Sequence, residues 1–435
     1  ARSTCRLSLP PSRQNTAEGG MKLDRVILHS DCNGFYASVE TVYRPELAAV
    51  PMAVCGDPES RHGIILAKNE LAKRYKIQTA EPVSSALRKC PELVLVRAHH
   101  DRYREFSRRV NRIYLEYTDQ VEPFSVDESW LDVTGSLHLF GDGKKIADEL
   151  RRRVRKEIGI TISVGVSFNK VFAKLGSDYK KPDATTVIQR QDVERILYPL
   201  PVEAMLLVGG SAADRLRKMR VCTIGDLARC PRTRLEKLLG KLGGTLSDYA
   251  RGLDQSPVRK WGEHEEIKSV GNSITFRRDL QGMEDIRLGI TTLADRVAER
   301  LRRHQMKCTA VQITVKNPAL RVITRQKVLD APANSMEEIR DAALELIRKN
   351  WDPQSPVRLL GITGLSLCHE DEGGGEQLSF FAPEKTENRE KAEHLGQAID
   401  KIREKLGDHA ISYASVLNND LGISTLKIDG EKETD

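Results

Sequence analysis

Hydrophobic and polar positions change their spacing several times along the chain, and each change marks a different kind of segment. In residues 24 to about 187, short runs such as RVILHSD and ITISVGVS alternate with runs of helical period such as GKKIADELRRRVRKE. This alternation predicts strands and helices of one α/β or α+β domain. In residues 200–256 the period is helical throughout, and the breaks VGGS and KLGGT predict a small unit of short helices.

A second mixed segment follows a polar stretch. SPVRKWGEHEEIKS carries Pro, Gly and many charges, which predicts an exposed linker. Residues 270–367 then give strand, helix, strand, strand, helix and strand, the order of a split β-α-β fold. The charged, Gly-rich stretch after it surrounds one short apolar cluster, QLSFF, and EHLGQAIDKIREKLG predicts a final amphipathic helix before a polar tail.

Composition and charge narrow the class of protein. The 435 residues include 69 Lys and Arg against 62 Asp and Glu, a formal net charge of +7, which fits an anionic partner. No apolar run approaches the roughly 18 residues of a membrane span. Eight Cys without a C-x-x-C pair indicate reduced thiols and a cytosolic protein. Residues 1–20 lack the apolar centre of a secretory signal, and we interpret them as an extension or cloning scar before Met21.

Two acid-bearing stretches carry the candidate chemistry. Asp31 ends a β-type run in DCNGFYASVE, and Asp127 and Glu128 lie in VEPFSVDESWLDVTGS, which predicts a β-hairpin. If the strands are neighbours, three carboxylates would suit Mg²⁺ and phosphoryl transfer. The alternative is that Asp31 caps a helix and the acidic pair is solvated. Strict alternation also sends Asp127 and Glu128 to opposite faces, unless the hairpin bends or the metal lies at its tip.

The pairing of ILHSDCNGFYASVE with FSVDESWLDVTGS resembles the two catalytic motifs of the Y-family translesion DNA polymerases, particularly their DNA polymerase IV branch. The resemblance covers nearly all of residues 23–367. It implies an α+β multidomain right-hand polymerase with a palm, small fingers, a helical thumb with a helix-hairpin-helix, and a β-α-β-β-α-β little finger. The corresponding ranges are palm 21–200 with fingers at about 41–98, thumb 201–255, linker 256–269, little finger 270–369, and a clamp-binding segment, helix and tail at 370–435.

The resemblance also implies an active site. Asp31, Asp127, Glu128 and the backbone carbonyl of Cys32 would bind two Mg²⁺ ions for attack of a primer 3′-hydroxyl on a dNTP. Tyr36 corresponds to the steric gate that excludes a 2′-OH, although helical aromatic residues are usually core. The other implied nucleotide-binding residues are Phe35, through its backbone N–H, Lys73, Arg74 and Lys181.

The fingers depart from the family pattern. Many relatives have a Tyr and an Arg that contact the triphosphate, whereas Glu70 and Lys73 occupy those positions here. The positive charge is kept, but the bidentate guanidinium is lost. Lys68 or Arg74 would then substitute for the missing contact.

The DNA-binding expectations rest on a glycine turn and on basic strands. Gly209 and Gly210 supply a turn whose N–H groups would face phosphate. In the little finger, strand cations alternate with other residues and would lie on one sheet face toward DNA, with a solvated basic surface as the alternative: Arg277, Arg278, Arg321, Arg325 and Lys327. QLSFF resembles the bacterial sliding-clamp motif, with anchors Gln377, Leu378, Phe380 and Phe381.

The resemblance therefore implies a template-directed, low-fidelity translesion DNA polymerase. The expected partners are primer-template DNA, dNTP and a sliding clamp, and the protein is expected to be a monomer of the bacterial cytoplasm that associates with the nucleoid. Three alternatives remain at this point. They are an accessory-dependent subunit like that of DNA polymerase V, a noncatalytic DNA- and clamp-binding protein, and a cyclase-like or nuclease-like palm.

Overall fold

The computed structural model describes residues 24–57, 63–263, 266–370, 384–407, 410–416 and 419–423. The chain forms two compact units, and the boundary between them falls between Glu263 and His264. Among the helices described, none combines the length and apolar character that a bilayer span requires.

The first unit contains eight strands and twelve helices in its described part. The strands are β1 (Ile27–Cys32), β2 (Met52–Cys55), β3 (Ile65–Lys68), β4 (Val94–Arg97), β5 (Val121–Pro123), β6 (Glu128–Asp132), β7 (Ile162–Ser167) and β8 (Thr185–Val187). The helices are α1 (Phe35–Tyr43), α2 (Glu70–Arg74), α3 (Val83–Lys89), α4 (His100–Leu115), α5 (Leu137–Phe140), α6 (Gly143–Ile158), α7 (Lys170–Tyr179), α8 (Val193–Ile196), α9 (Gly210–Lys218), α10 (Ile224–Arg229), α11 (Arg232–Leu239) and α12 (Lys241–Ala250).

A five-stranded sheet of order β5-β6-β1-β7-β8 forms the centre of this unit. Strand β1 pairs antiparallel with both β6 and β7, and every residue of β1 is buried. Alternate residues of β1 enter different clusters, since Leu28 packs with α4 and α6 whereas Ile27 packs with Ala173 of α7. Successive strand residues point to opposite faces, so the sheet is covered on both sides.

Helix α7 lies unusually close to β7. A Cβ at Gly165 would lie 1.9 Å from the carbonyl oxygen of Ala173 and 2.4 Å from the backbone nitrogen of Ser177. Only a residue without a side chain allows this approach. The helix begins at Asn169, whose side chain accepts a hydrogen bond from the Phe172 N–H and caps the first turn.

A small three-stranded sheet of order β3-β2-β4 is inserted between α1 and α4, with its own apolar cluster under α2 and α3. Helices α9 to α12 form the predicted helical segment around a separate apolar cluster. The chain after α12 differs from the exposed linker that we predicted. Val258 is buried against Ile27 and Trp130. Glu122 accepts hydrogen bonds from the Lys170 ammonium and from the Arg259 backbone N–H, so this part of the chain belongs to the first unit and packs within it.

The second unit has the predicted order of elements. They are β9 (Ser269–Leu280), α13 (Gly282–Arg303), β10 (Met306–Lys316), β11 (Val322–Ala333), α14 (Met336–Asn350), β12 (Val357–His369) and α15 (Glu384–Leu406). The four strands form an antiparallel sheet of order β11-β10-β12-β9. Val311, Ile313 and Val315 of β10 pack in one core with α13 and α14, while Gln312 and Thr314 lie on the opposite face.

The final helix docks on this unit through ion pairs. Arg403 of α15 contacts Asp295 of α13, and Arg302 contacts Asp400. Further along the chain, the Leu421 carbonyl accepts a hydrogen bond from the Arg277 N–H of β9.

Candidate active site

The end of β1 and the turn of the β5–β6 hairpin bring the acidic residues into one region. Asp31 lies directly opposite Glu128 in the pairing of β1 with β6. Asp127 precedes the first residue of β6 and therefore lies in the turn, where its carbonyl oxygen accepts a hydrogen bond from the Cys32 N–H at 3.0 Å. Asp127 lies outside the strand, so strand alternation does not fix the direction of its side chain relative to that of Glu128.

Asp31 is almost completely buried and has a lysine partner. The Lys181 ammonium lies 2.7 Å from the Asp31 carboxylate and 2.7 Å from that of Asp178. Burial raises the pKa of Asp31 to about 7 even though the Lys181 charge acts in the opposite direction. This carboxylate therefore lies where a negative charge needs a cation.

The other two carboxylates have different environments. Burial would raise the pKa of Glu128, but its close contacts with His29 and with the Lys174 ammonium outweigh it and lower this pKa to about 2. The Nε2 atom of His29 lies 3.3 Å from Glu128, and burial lowers the pKa of this imidazole. Burial raises the pKa of Asp127, whose carboxylate accepts a hydrogen bond from the Ser125 hydroxyl at 2.7 Å.

The chemistry of these donors fits a hard divalent cation. Oxygen donors are the ligands that Mg²⁺ takes in proteins, and buried carboxylates must be paired or coordinate a cation. Lysine ammonium groups meet that need in this structure, since Lys181 contacts Asp31 and Lys174 contacts Glu128. Within the described parts of the chain, no group of three acidic, His or Cys side chains is arranged closely enough to hold a metal ion. The carboxylates share one end of the sheet, but Asp31 and Glu128 contact lysines, and Asp127 accepts a hydrogen bond from Ser125.

Two aromatic residues at the start of α1, Phe35 and Tyr36, follow Asp31 in the sequence. Phe35 is buried in the core, as expected for its side chain. The Tyr36 ring stacks on Tyr103 of α4, with ring centroids 3.9 Å apart. Gly34 makes the turn between Asp31 and α1 with φ of 53°, and a Cβ there would lie 3.4 Å from the Lys68 carbonyl oxygen. The inserted sheet therefore approaches the turn that follows the acid.

The cations of the inserted sheet have local partners. The Lys73 ammonium lies 2.8 Å from the carboxylate of Glu70 on the same exposed helix turn. Arg74 is exposed at the end of α2. Lys68 donates a hydrogen bond to Thr79, and burial lowers its pKa, with the nearby Lys73 charge acting in the same direction. The charges of Lys68 and Lys73 are thus close enough to affect each other.

The predicted glycine turn lies at the start of a helix. Gly209 is the N-cap of α9, and Gly210 is its first residue. Among the described residues, no atom lies within 4 Å of a Cβ added at either glycine. The first backbone N–H groups of a helix lack partners within it, so this open turn leaves them accessible.

Two of the basic strand residues of the second unit do not lie on the sheet face that we expected to meet DNA. Arg325 and Lys327 lie opposite Ile313 and Val311 in the pairing of β11 with β10. Directly paired residues share a face. That face carries α14, where Arg325 bonds to Asn350 and Lys327 to Glu345. The two cations therefore point toward the helices and not toward the open face of the sheet.

Arg278 also differs from the expected free cation. Its guanidinium contacts Asp285 and Asp420 at 2.6 Å each, and these contacts raise its pKa. Arg277 lies in register with the open face and is exposed, and Arg321 is exposed beside β11. Sequence reasoning missed Lys316, which pairs with Leu359 on the open face of β10. The proposed clamp anchors Gln377, Leu378, Phe380 and Phe381 lie outside the described residues.

A carboxylate-bearing central sheet, a small inserted sheet, a helical segment and a separate β-α-β-β-α-β unit are the parts of a right-hand polymerase. Models of the impB/mucB/samB family and of its C-terminal domain match residues 30–178 and 267–380. The chain belongs to this family, that of the Y-family DNA polymerases. The five-stranded sheet is consistent with the palm of this fold and the inserted sheet with its fingers. Helices α9 to α12 are consistent with the thumb and the second unit with the little finger, and these names are used below.

Curated relatives match over nearly the full chain. The chain is 48% identical over 404 residues to a DNA polymerase IV of Acetivibrio thermocellus, covering 93% of this chain and 100% of the relative. It is 37% identical over 396 residues to DNA polymerase IV 1 of Bacillus subtilis, covering 91% and 94% respectively. A solved Y-family DNA polymerase chimera, Dbh-Dpo4(243-245)-Dbh, shares the fold with a TM-score of 0.70 at 23% identity, covering 79% of this chain and 99% of that one. Dependence on divalent metal ions is general in this family.

Proposed function

We propose that this protein is a template-directed DNA polymerase that adds dNTPs to a primer 3′ end and copies damaged templates. The observation that carries the proposal is the register of the palm strands. Asp31 opposite Glu128, with Asp127 in the adjoining turn, puts three carboxylates at one end of a sheet. The relatives named DNA polymerase IV support the same reaction.

We assign two Mg²⁺ ions to this site. The residues that would hold them are Asp31, Asp127, Glu128 and the backbone carbonyl of Cys32. When bound, such ions lower the pKa of a hydroxyl nucleophile and neutralise the charge on the transferring phosphate and the leaving group. The burial that raises the pKa of Asp31 and Asp127 supports this assignment, because it makes an unpaired carboxylate costly there.

The nucleotide is bound by groups on both sides of the acids. Lys181 supplies positive charge for the triphosphate. Its contact with Asp31 supports this role, because it puts the ammonium group beside the acids. Lys68, Lys73 and Arg74 provide the further cations from the fingers, and the Phe35 backbone N–H faces the phosphates. Tyr36 lies beneath the sugar, where its ring would clash with a 2′-OH and so select dNTP over rNTP.

The partners follow from the remaining surfaces. Primer-template DNA lies against the Gly209–Gly210 turn of the thumb and against the open face of the little-finger sheet, where phosphate contacts give binding without sequence preference. Arg277 and Arg321 are the best placed of the predicted DNA-binding cations, because both are exposed. A bacterial sliding clamp binds the segment that contains Gln377, Leu378, Phe380 and Phe381. The protein acts as a monomer in the cytoplasm, at the nucleoid.

Primer extension by the purified chain tests the proposal directly. The assay compares the wild type, Asp127→Asn, Asp31→Asn and the control Asp101→Asn, an acid that is 95% exposed on α4. We expect extension that follows the template base, a loss of at least about 100-fold in either active-site variant, and no loss in the control. DNA binding should persist in all four proteins.

Two outcomes would contradict the proposal. Undiminished extension by Asp127→Asn would remove that acid from the reaction. DNA binding without extension by the wild type would favour an accessory-dependent subunit or a noncatalytic DNA-binding protein.

A further inference from the structure

The ring of Tyr36 rests on a flat, buried surface. The Tyr103 ring is 1% exposed and lies parallel to that of Tyr36, with centroids 3.9 Å apart and an interplanar angle of 12°. His100 meets both rings edge-on, at 5.8 Å from each centroid. Offset stacking and edge contacts of this kind restrain ring orientation beyond simple burial. The plane of the Tyr36 ring is thus fixed by α4.

Tyr103 is in turn fixed by a buried carboxylate. Its hydroxyl donates a hydrogen bond to Glu40 Oε1 at 2.7 Å, and Glu40 is completely buried. The same carboxylate lies 2.8 Å from His99 Nδ1 and accepts a hydrogen bond from Arg102 at 3.1 Å. Burial raises the pKa of Tyr103, with the Glu40 hydrogen bond acting in the same direction, so the hydroxyl keeps its proton and remains a donor.

These contacts form a closed loop between two helices. Tyr36 and Glu40 are four residues apart on α1 and therefore lie on the same side of that helix. Tyr103 and the residues that bind Glu40 belong to the start of α4, directly after the last strand of the fingers. Displacing the Tyr103 ring would break a hydrogen bond to a buried charge, which is costly. The loop therefore resists movement of the Tyr36 ring away from the sugar.

We propose that Tyr103 and Glu40 are positioning residues for sugar selection, because they hold the Tyr36 ring at the height at which it excludes a 2′-OH. The inference rests on the proposed function and on the assignment of Tyr36 as the steric gate. It assigns the selectivity to Tyr36 together with the support from Tyr103 and Glu40, and not to Tyr36 alone. A Tyr36 ring without this support has room to tilt, and ribonucleotides enter.

The test measures the ratio of kcat/KM for dNTP over rNTP in primer extension. Tyr103→Leu removes the stacking ring, Tyr103→Phe keeps the ring but removes the hydroxyl, and Tyr36→Ala gives the full loss of the gate. We expect Tyr103→Leu to lower the ratio by about 3- to 10-fold, the value of one aromatic contact. The change should come from a lower KM for rNTP, with kcat for dNTP retained. Tyr103→Phe should fall between Tyr103→Leu and the wild type.

A matched control separates positioning from general destabilisation. Tyr117 is another buried palm tyrosine, which packs on Phe140 with centroids 4.7 Å apart. Tyr117→Leu should lower thermal stability without changing the ratio. Glu40→Gln keeps an acceptor for the Tyr103 hydroxyl and should change the ratio less than Tyr103→Leu does.

The outcomes distinguish this inference from the proposed function. An unchanged ratio in Tyr103→Leu, together with a collapsed ratio in Tyr36→Ala, overturns the support while the polymerase and its gate stand. An unchanged ratio in Tyr36→Ala overturns the gate and the support together. Absence of extension by the wild type overturns the proposed function itself. If Tyr103→Leu does not fold, Tyr103→Phe decides, and a ratio equal to that of the wild type counts against the inference.

Discussion

The ion pair between Asp295 and Arg403 should hold the C-terminal helix on the little finger. Both residues are more than nine-tenths buried, and two hydrogen bonds of 3.2 and 2.9 Å join them. Asp295→Ala would leave the Arg403 guanidinium buried, with Glu299 at 3.8 Å as its nearest remaining carboxylate. Breaking a buried pair from one side costs about 3–5 kcal/mol, and the Glu299 charge places the expected cost near the lower end, about 3 kcal/mol.

Hydrogen exchange of the full chain is the suitable assay, because a protein of two units does not unfold in a single transition. About 3 kcal/mol corresponds to a loss of protection near 150-fold, and we expect that loss in residues 391–406, with the first unit unchanged. The double variant Asp295→Leu with Arg403→Leu removes both charges and should recover most of the protection. A loss under about 1 kcal/mol in the single variant, or equal losses in the single and double variants, would refute the reasoning.

Three further predictions concern other parts of the chain. Glu122→Ala removes the acceptor that binds the linker to the palm and should make the chain near it sensitive to limited proteolysis, whereas the wild type stays resistant. Cys222 is exposed, so an alkylating reagent at pH 8 should modify it in the native protein. Cys308 should stay unlabelled until unfolding, because burial raises its pKa to about 12 and leaves only about one thiol in ten thousand ionised; peptide mass spectrometry reports both sites. Arg277→Ala should reduce the slope of log K against log salt concentration for primer-template binding by about the value of one phosphate contact. Arg325→Ala should leave this slope unchanged, since that side chain faces α14.

Much of the fold is encoded locally and was predicted from the sequence. The β-α-β-β-α-β order of the little finger follows from apolar period alone, and the structure has the same order. The orientation of β11 could not be obtained in this way. Its polar residues occupy both sides of an edge strand, so alternation defines two faces without saying which one carries the helices. Arg325 and Lys327 were placed on the wrong face for this reason.

For the candidate site, the sequence indicated which segments carry the acids, and the structure pairs these segments in one sheet. The stretch around Asp31 and the hairpin of Asp127 and Glu128 are local signals, and their pairing followed from the resemblance to known motifs. The partners of Arg278 are 7 and 142 residues away, and no local pattern connects them. The position of Glu40 on the apolar side of an amphipathic helix could have indicated its role. A carboxylate at such a position needs a buried partner. The identity of that partner, Tyr103, required the fold.

The contact between α7 and Gly165 bears on how a mutational survey of this enzyme should be interpreted. A substitution at Gly165 should push the helix that carries Lys174 and leads to Lys181, so we expect activity to be lost as completely as in the proposed Asp31→Asn variant. Substitution would then be tolerated equally poorly at Gly165, which has no side chain, and at Asp31, which we propose as a metal ligand. The yield of folded protein separates the two, since Asp31→Asn should accumulate normally and Gly165→Ala should not.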